Sequence, residues 1–260
     1  MISGGQQFAA STHGFDPSPP SRAEVEQWIQ QAGTDGQDGR FDAAIAAYGK
    51  SLKSGQLSQG ELAEIHGRRG NIYLAMANHD FALRDLDAAI AINAANPYYW
   101  LWRGNAYIAK LAPDRAIDDY GEAMRLLPRP PDAYANRAAA YMSVGKFDPA
   151  LSDLDNVLQF APDHALSRNN RCYLKAFALE DYAGALPDCD RAIALVDNFV
   201  LAYQNRAAIH ERLRQFDLAR RDYEKAAELA PALAAQRDAA LTRMQRQQEL
   251  METPPDLIMN

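Results

Sequence analysis

The chain has 260 residues, of which 48% are hydrophobic and 23% are charged, enough apolar material for a continuous core under a polar surface. Its formal net charge of −7 is opposite in sign to that of a protein that binds nucleic acid or an anionic membrane. The two cysteines are too few for a disulfide-framed secreted fold, and no apolar run reaches the roughly 18 residues of a membrane span.

Residues 1–21 contain Gly, Ser, Gln and three prolines and are predicted to lack a fixed structure. They have neither a basic start nor an apolar run, so no signal peptide is predicted. A cytoplasmic location is therefore the default expectation, although a chain that had lost a targeting segment would look the same.

Residues 22–58 are predicted to form a degenerate first helix pair. The small and aromatic residues that carry this prediction are Trp28, Ala32, Phe41, Ala44, Tyr48 and Ser51. The first helix of this pair is expected to be short, because the glycine-rich stretch 33–39 does not sustain a helix.

Downstream, two residue types recur with one period. The arginines are Arg69, Arg103, Arg137, Arg171 and Arg206, with spacings of 34, 34, 34 and 35 residues. The aspartates are Asp85, Asp119, Asp153, Asp188 and Asp222, with spacings of 34, 34, 35 and 34 residues. A shared period with a single slip at the same place indicates an array of structural repeats.

The period divides the chain into five units. They run over residues 63–96, 97–130, 131–164, 165–199 and 200–233. Each unit has small residues at matching places, such as Gly70, Gly104, Ala138, Cys172 and Ala207 in the first half. Small side chains let two antiparallel helices approach closely, while helix formers dominate the composition, so the prediction is all-α.

One stretch carries a family resemblance. Residues 100–107 (WLWRGNAY), followed by Ala116, Tyr120, Ala123 and Pro128, resemble the tetratricopeptide repeat signature, with arginine where leucine is common. The resemblance covers 63–233 closely and implies a right-handed α-solenoid of stacked antiparallel helix pairs, the tetratricopeptide superhelix. It is specific for the fold and says little about function.

The last unit is followed by residues 234–252, which are rich in Ala, Gln, Arg and Glu. A terminal repeat exposes an apolar face, so this segment is predicted to be a capping helix. Residues 253–260 are interpreted as a short tail.

The recurring arginine and aspartate of each unit are predicted to meet as partly buried ion pairs. The arginine lies on the first helix and the aspartate on the second, at a nearly constant separation. A structural role is favoured over ligand binding. Deleting one partner of a buried pair would leave the other charge buried without a counter-ion.

The inner surface of such a solenoid is lined by the first helix of each unit, and it is the candidate binding site. The candidate residues are Tyr98, Trp102, Asn105, Asn136, Asn170, Tyr173, Phe177 and Asn205. The asparagines would grip the backbone of an extended ligand, since an amide offers a donor and an acceptor together. The aromatic residues would act as anchors. The alternative is that the asparagines bond only to neighbouring helices or water.

Some members of the family hold a C-terminal carboxylate with a clamp of basic residues and asparagines. This sequence keeps Asn105, Asn136 and Asn170, but Leu101, Leu166 and Asn170 stand where the basic partners would be. Binding of that kind is therefore not expected.

The unit 165–199 is irregular. It has one extra residue between Lys175 and Tyr182, and Pro187 lies within its predicted second helix, so a kink or a late helix start is expected. Cys172 and Cys189 fall at facing packing positions. They are expected to be buried free thiols, with a redox pair as the alternative.

No catalytic signature is present, and neither a cofactor nor a metal is expected. The five histidines lack metal-ligand spacing, and there is no phosphate-binding glycine loop. The chain is therefore predicted to be a non-enzymatic scaffold or adaptor that binds an unidentified protein or peptide. The alternatives are a self-assembling homo-oligomer and a regulator of a separately encoded enzyme.

Overall fold

The computed structural model describes residues 19–252. The expectations for residues 1–18 and for the tail 253–260 lie outside the described residues. Within residues 19–252 the chain forms thirteen α-helices and no strand. The predicted all-α solenoid of antiparallel helix pairs is confirmed.

The helices alternate between a first and a second member of each pair. The first helices are α1 (Arg22–Gln37), α3 (Gln59–Ala75), α5 (Pro97–Ala109), α7 (Pro131–Ser143), α9 (Ala165–Tyr173) and α11 (Val200–Arg212). The second helices are α2 (Phe41–Leu52), α4 (His79–Ile92), α6 (Pro113–Leu126), α8 (Phe147–Phe160), α10 (Tyr182–Leu195) and α12 (Phe216–Leu229). A short 3-10 turn, Pro231–Leu233, leads into the last helix, α13 (Ala234–Glu252).

Each second helix packs against its own first helix and against the first helix of the next unit. Small residues allow the close approach within a pair. A Cβ atom added at Gly104 of α5 would lie 2.6 Å from the ring of Tyr120 on α6, so only glycine fits there. Tyr120 is 1% exposed and fills the space between α5 and α7.

The turn inside each pair contains one residue in the left-handed conformation. These residues are Gly39, Ala77, Leu111, Gly145, Glu180 and Arg214, with φ between 56° and 76°. Four of the six are not glycine, although the left-handed region is unfavourable for residues with a Cβ atom. The turn geometry is therefore set by the packing of the two helices.

The expectation of a short first helix in residues 22–58 is wrong, because α1 continues through Gly33 and Gly36 to Gln37. A Cβ atom at Gly36 would lie 3.2 Å from Cδ1 of Ile72, so the glycine gives α3 room to pack. Asp35 is buried and accepts hydrogen bonds from Gln31 and Arg40. Packing here outweighs low helix propensity.

The extra residue of the unit 165–199 lies in a π-helical turn, Leu174–Ala178, at the end of α9. The amide of Leu179 donates to the carbonyl of Leu174, 3.2 Å away, which is the wider bonding of a π turn. The second helix starts at Tyr182, and Pro187 is exposed inside it. Of the two expected outcomes, a kink or a late start, the late start is therefore wrong.

The expectation of free thiols is also wrong, because Cys172 on α9 and Cys189 on α10 form a disulfide. Both residues are fully buried, and their Cα atoms are 5.5 Å apart. In the preceding unit the same two places hold Ala138 and Leu154, which pack together in one cluster. Two cysteines at this contact stand close enough to bond.

The array ends at α13, which packs on α12. Ala240 and Met244 of α13 are buried, and Arg243 forms an ion pair with Glu211 of α11. None of the helices in the described part of the chain is long and apolar enough to cross a membrane.

Candidate functional site

The predicted ion pairs between the two helices of a unit are present in all five units. Each guanidinium donates two hydrogen bonds of 2.6–2.8 Å to one carboxylate: Arg69–Asp85, Arg103–Asp119, Arg137–Asp153, Arg171–Asp188 and Arg206–Asp222. The carboxylate side chains are only 2–8% exposed. Two-pronged pairs of this kind hold both partners in one geometry.

Three of these arginines also reach back to the preceding unit. Nη1 of each of these arginines donates a hydrogen bond of 2.7 Å to a second carboxylate. The pairs are Arg103–Asp87, Arg171–Asp155 and Arg206–Asp190. Arg137 faces Gly121 at the corresponding place and has no second acid there. The arginines thus join neighbouring units as well as the two helices of one unit.

The pKa values of Asp119 and Asp188 are shifted in opposite directions, because these two buried carboxylates have different numbers of cationic partners. Burial raises the pKa of Asp119 above its ordinary value, because only Arg103 opposes it while Asp87 and Asp118 add negative charge. Burial acts on Asp188 in the same way, but Arg171, Arg168 and Lys175 outweigh it, and its pKa lies below the ordinary value. The charge of each of these carboxylates is compensated by an arginine of the same helix pair, which supports the structural role predicted for them.

The candidate binding residues share one face of the first helices. Trp102, Asn136, Asn170 and Asn205 occupy one helical position in successive units, and Asn105, Ala139, Tyr173 and Ala208 occupy the position three residues later. Tyr98 lies one helical turn before Trp102, and Phe177 lies one helical turn after Tyr173. We call the surface formed by Tyr98, Trp102, Asn105, Asn136, Asn170, Tyr173, Phe177 and Asn205 the first-helix face.

Two of the asparagines bond across to the preceding first helix. Nδ2 of Asn136 donates to Oδ1 of Asn105, 3.0 Å away, and the hydroxyl of Tyr120 donates to the same oxygen at 2.8 Å. Nδ2 of Asn205 donates to Oδ1 of the buried Asn169 at 3.0 Å. Cross-helix bonding, the alternative considered from the sequence, is therefore present. It uses only part of the hydrogen-bonding capacity of each amide.

Burial raises the pKa of Tyr120, so its phenol stays protonated and donates. Oδ1 of Asn105 then accepts two hydrogen bonds, which fixes the orientation of this amide. The Nδ2 group of Asn105 has no partner among the described residues. The Asn170 side chain likewise forms no hydrogen bond within residues 19–252.

The aromatic residues of the first-helix face lie in two pairs with tilted rings. The rings of Tyr98 and Trp102 are 6.0 Å apart, and those of Tyr173 and Phe177 are 5.1 Å apart. Tyr98 is 50% exposed and Tyr173 46% exposed, whereas Phe177 packs against the cluster around the disulfide. Each pair therefore presents one exposed ring supported by a half-buried ring.

A cavity of about 640 Å³ opens on the first-helix face between α5, α6 and α7. It is lined by Asn105, Ile108, Leu111, Pro113, Tyr120, Asn136, Ala139, Ala140 and Ser143. The sequence prediction contained Asn105 and Asn136 but missed the apolar walls. One signal was present: Ala139 is smaller than Asn105 and Tyr173, its equivalents in the neighbouring units.

Within residues 19–252, no group of three or more His, Cys, Asp or Glu side chains is arranged to hold a metal ion. His66 forms a 2.8 Å contact with Asp85, and His164 contacts Ser167.

The last unit and the overall fold both match known proteins. Residues 200–233 match the family model described as tetratricopeptide repeat. A tetratricopeptide repeat protein from Parabacteroides merdae shares 16% identity with a TM-score of 0.67, over 89% of this chain and 88% of that one. The thermophilic protein TTC0263 of Thermus thermophilus shares 22% identity with a TM-score of 0.61, over 69% of this chain and 99% of that one.

A third solved structure is YrrB, described as a tetratricopeptide protein with an unusual peptide-binding site. It shares 16% identity with a TM-score of 0.54, over 72% of this chain and 94% of its own. No curated protein sequence matches the chain significantly. These structural likenesses show the fold, and with the matched unit 200–233 they confirm the predicted resemblance to tetratricopeptide repeat proteins.

Proposed function

We propose that the chain is a non-catalytic scaffold that binds an extended segment of a partner protein along the first-helix face. The observation that supports this most is the row of side-chain amides at one helical level, Asn136, Asn170 and Asn205. Each amide has a donor and an acceptor, as a peptide group does. The same fold carries a peptide-binding site in YrrB.

The amides of Asn105, Asn136 and Asn205 are held by hydrogen bonds and still have capacity for a ligand. When Asn136 donates its hydrogen bond to Asn105, both N–H groups on Nδ2 of Asn105 and the Oδ1 atom of Asn136 are still available to bond a ligand. Groups that are already oriented lose less entropy on binding, which favours affinity. The exposed rings of Tyr98 and Tyr173 flank this row and supply apolar contact area.

The double variant Asn136→Ala/Asn170→Ala tests the proposal. The ligand is a peptide selected on the wild-type chain from a random-sequence library. We expect binding to weaken about 10- to 30-fold, because two hydrogen bonds of about 1 kcal/mol each are lost. Circular dichroism should show unchanged helicity.

Asn156→Ala is the matched control, since Asn156 is exposed on the second helix α8, away from the first-helix face. This variant should bind the peptide as the wild type does. Equal affinity of the double variant and the wild type would contradict the proposal.

A further inference from the structure

We propose that the cavity between α5, α6 and α7 is a specificity pocket that receives one large, uncharged apolar side chain of the bound segment. This inference rests on the proposed function and adds the chemistry of the ligand. It is carried by three features of the pocket: an exposed leucine at its rim, a small residue in its wall, and the absence of charge in its lining.

The exposed leucine is Leu111, in the turn between α5 and α6. It is 89% exposed and has a left-handed backbone with φ of 56°. A large apolar side chain in that position contributes almost no burial to the fold, and the backbone conformation is unfavourable for leucine. The other turns have Gly39, Ala77, Gly145, Glu180 or Arg214 at this place. Since the fold gains little from Leu111, its contact with the cavity points to a ligand.

The small residue is Ala139, on the exposed side of α7. Its equivalents on the neighbouring first helices are Asn105 and Tyr173, and both have larger side chains. The cavity extends over Ala139 and Ala140 to Ser143, where a larger residue at position 139 would project. The space thus exists because this unit has alanine where the next unit has tyrosine.

The lining selects the kind of ligand. None of the nine residues that line the cavity carries a charge, and Ile108, Leu111, Pro113, Ala139 and Ala140 supply apolar walls. A charged side chain entering it would lose hydration without gaining a counter-ion, which is unfavourable. Asn105 and Asn136 lie at the polar part of the lining and can bond the peptide groups beside the inserted side chain. A leucine, methionine or phenylalanine of an extended segment satisfies all these conditions.

Selection from a displayed library of random-sequence peptides on the full wild-type chain provides the probe. We expect the enriched peptides to share one large apolar position. Ala139→Tyr should then weaken their binding about tenfold or more, because the tyrosine occupies the space for that side chain. Tyr173 shows that this helical position accommodates tyrosine. Asn156→Tyr, on the exposed side of α8 and outside the cavity, is the control and should bind as the wild type does.

A second variant changes the rim without filling the pocket. Leu111→Asn keeps a residue that accepts the left-handed conformation and removes the apolar contact, so it should also weaken binding. Replacing the shared apolar residue of the peptide by alanine should weaken binding to the wild type but add little further loss with Ala139→Tyr, because both changes remove the same contact.

Several results would overturn the pocket. They are equal binding by Ala139→Tyr and the wild type, a charged residue at the shared peptide position, and no enrichment of any peptide. A change in the mass of the particle in solution with Ala139→Tyr would identify a second copy of the chain as the occupant instead. If the double asparagine variant weakens binding and Ala139→Tyr does not, the proposed function stands and the pocket is wrong. If neither variant weakens binding, both are wrong.

Discussion

The paired arginine and aspartate of each unit have different surroundings, although their bond lengths are alike. Asp153 has Arg137 alone, whereas Asp188 has Arg171, Arg168 and Lys175 within 3.1 Å. A buried carboxylate contributes little net stability, yet its removal leaves a buried guanidinium without a counter-ion. The pairs therefore set the geometry of the units more than their stability.

Asp153→Ala is expected to lower the free energy of unfolding by about 3–5 kcal/mol, because Arg137 loses its counter-ion in a mostly buried position. Chemical denaturation measures this change. A loss within about 0.5 kcal/mol, the range of ordinary surface substitutions, would contradict the buried pair.

Asp155→Ala is the matched control on the same helix. Asp155 also bonds an arginine, Arg171, at 2.7 Å, but its side chain is 48% exposed. Water screens such a pair, so the expected loss is below about 1 kcal/mol. The difference between the two variants isolates the effect of burial.

Single residues show how far the sequence could be interpreted. The ion pairs were predictable, because side chains at repeated positions have the same backbone geometry in every unit. The bond between Asn136 and Asn105 was not, since these residues stand at different positions of their units and no period relates them. The apolar walls of the cavity were missed because Leu111 lies in a turn, which no helical pattern includes, and because the small Ala139 was the only signal among the helices.

Among the elements, the pair formed by α9 and α10 differs most from the others. The π-helical turn takes up the extra residue, and the disulfide joins the two helices a few residues away. Tyr173 and Phe177 of the first-helix face lie directly after Cys172 and within this turn.

Removal of the disulfide by Cys172→Ala/Cys189→Ala is expected to lower the free energy of unfolding by about 3 kcal/mol, since the bond closes a loop across a separation of 17 residues. Reduction of the wild type with a dithiol should lower its melting temperature in the same direction. Titration of the denatured, unreduced chain should find no free thiol. Two free thiols would contradict the pairing.

The elements also show where local rules fail. The extra residue in the unit 165–199 was visible in the spacing, but its location in a π turn depends on packing against α10. The glycines of α1 predicted a short helix, yet they are tolerated because α1 packs against α2 and α3 at that point. Propensity sums over one helix do not contain these contacts between helices.

For the molecule as a whole, the packing of each helix pair on the next one places the first helices side by side, and together they form the first-helix face. The units differ along this face: the pocket lies at α5 to α7, and the Tyr173–Phe177 pair follows at α9. The array is thus interpreted as a scaffold whose specificity comes from departures from the repeat.

Photo-crosslinking of a selected peptide to the wild-type chain, with the modified residues identified by mass spectrometry, tests this account most directly. The account predicts crosslinks on the first helices α5, α7 and α9, at residues such as Ile108, Ala139 and Tyr173. Crosslinks confined to the outer sides of the second helices α6, α8 and α10, or to α1 and α13 at the ends, would contradict it.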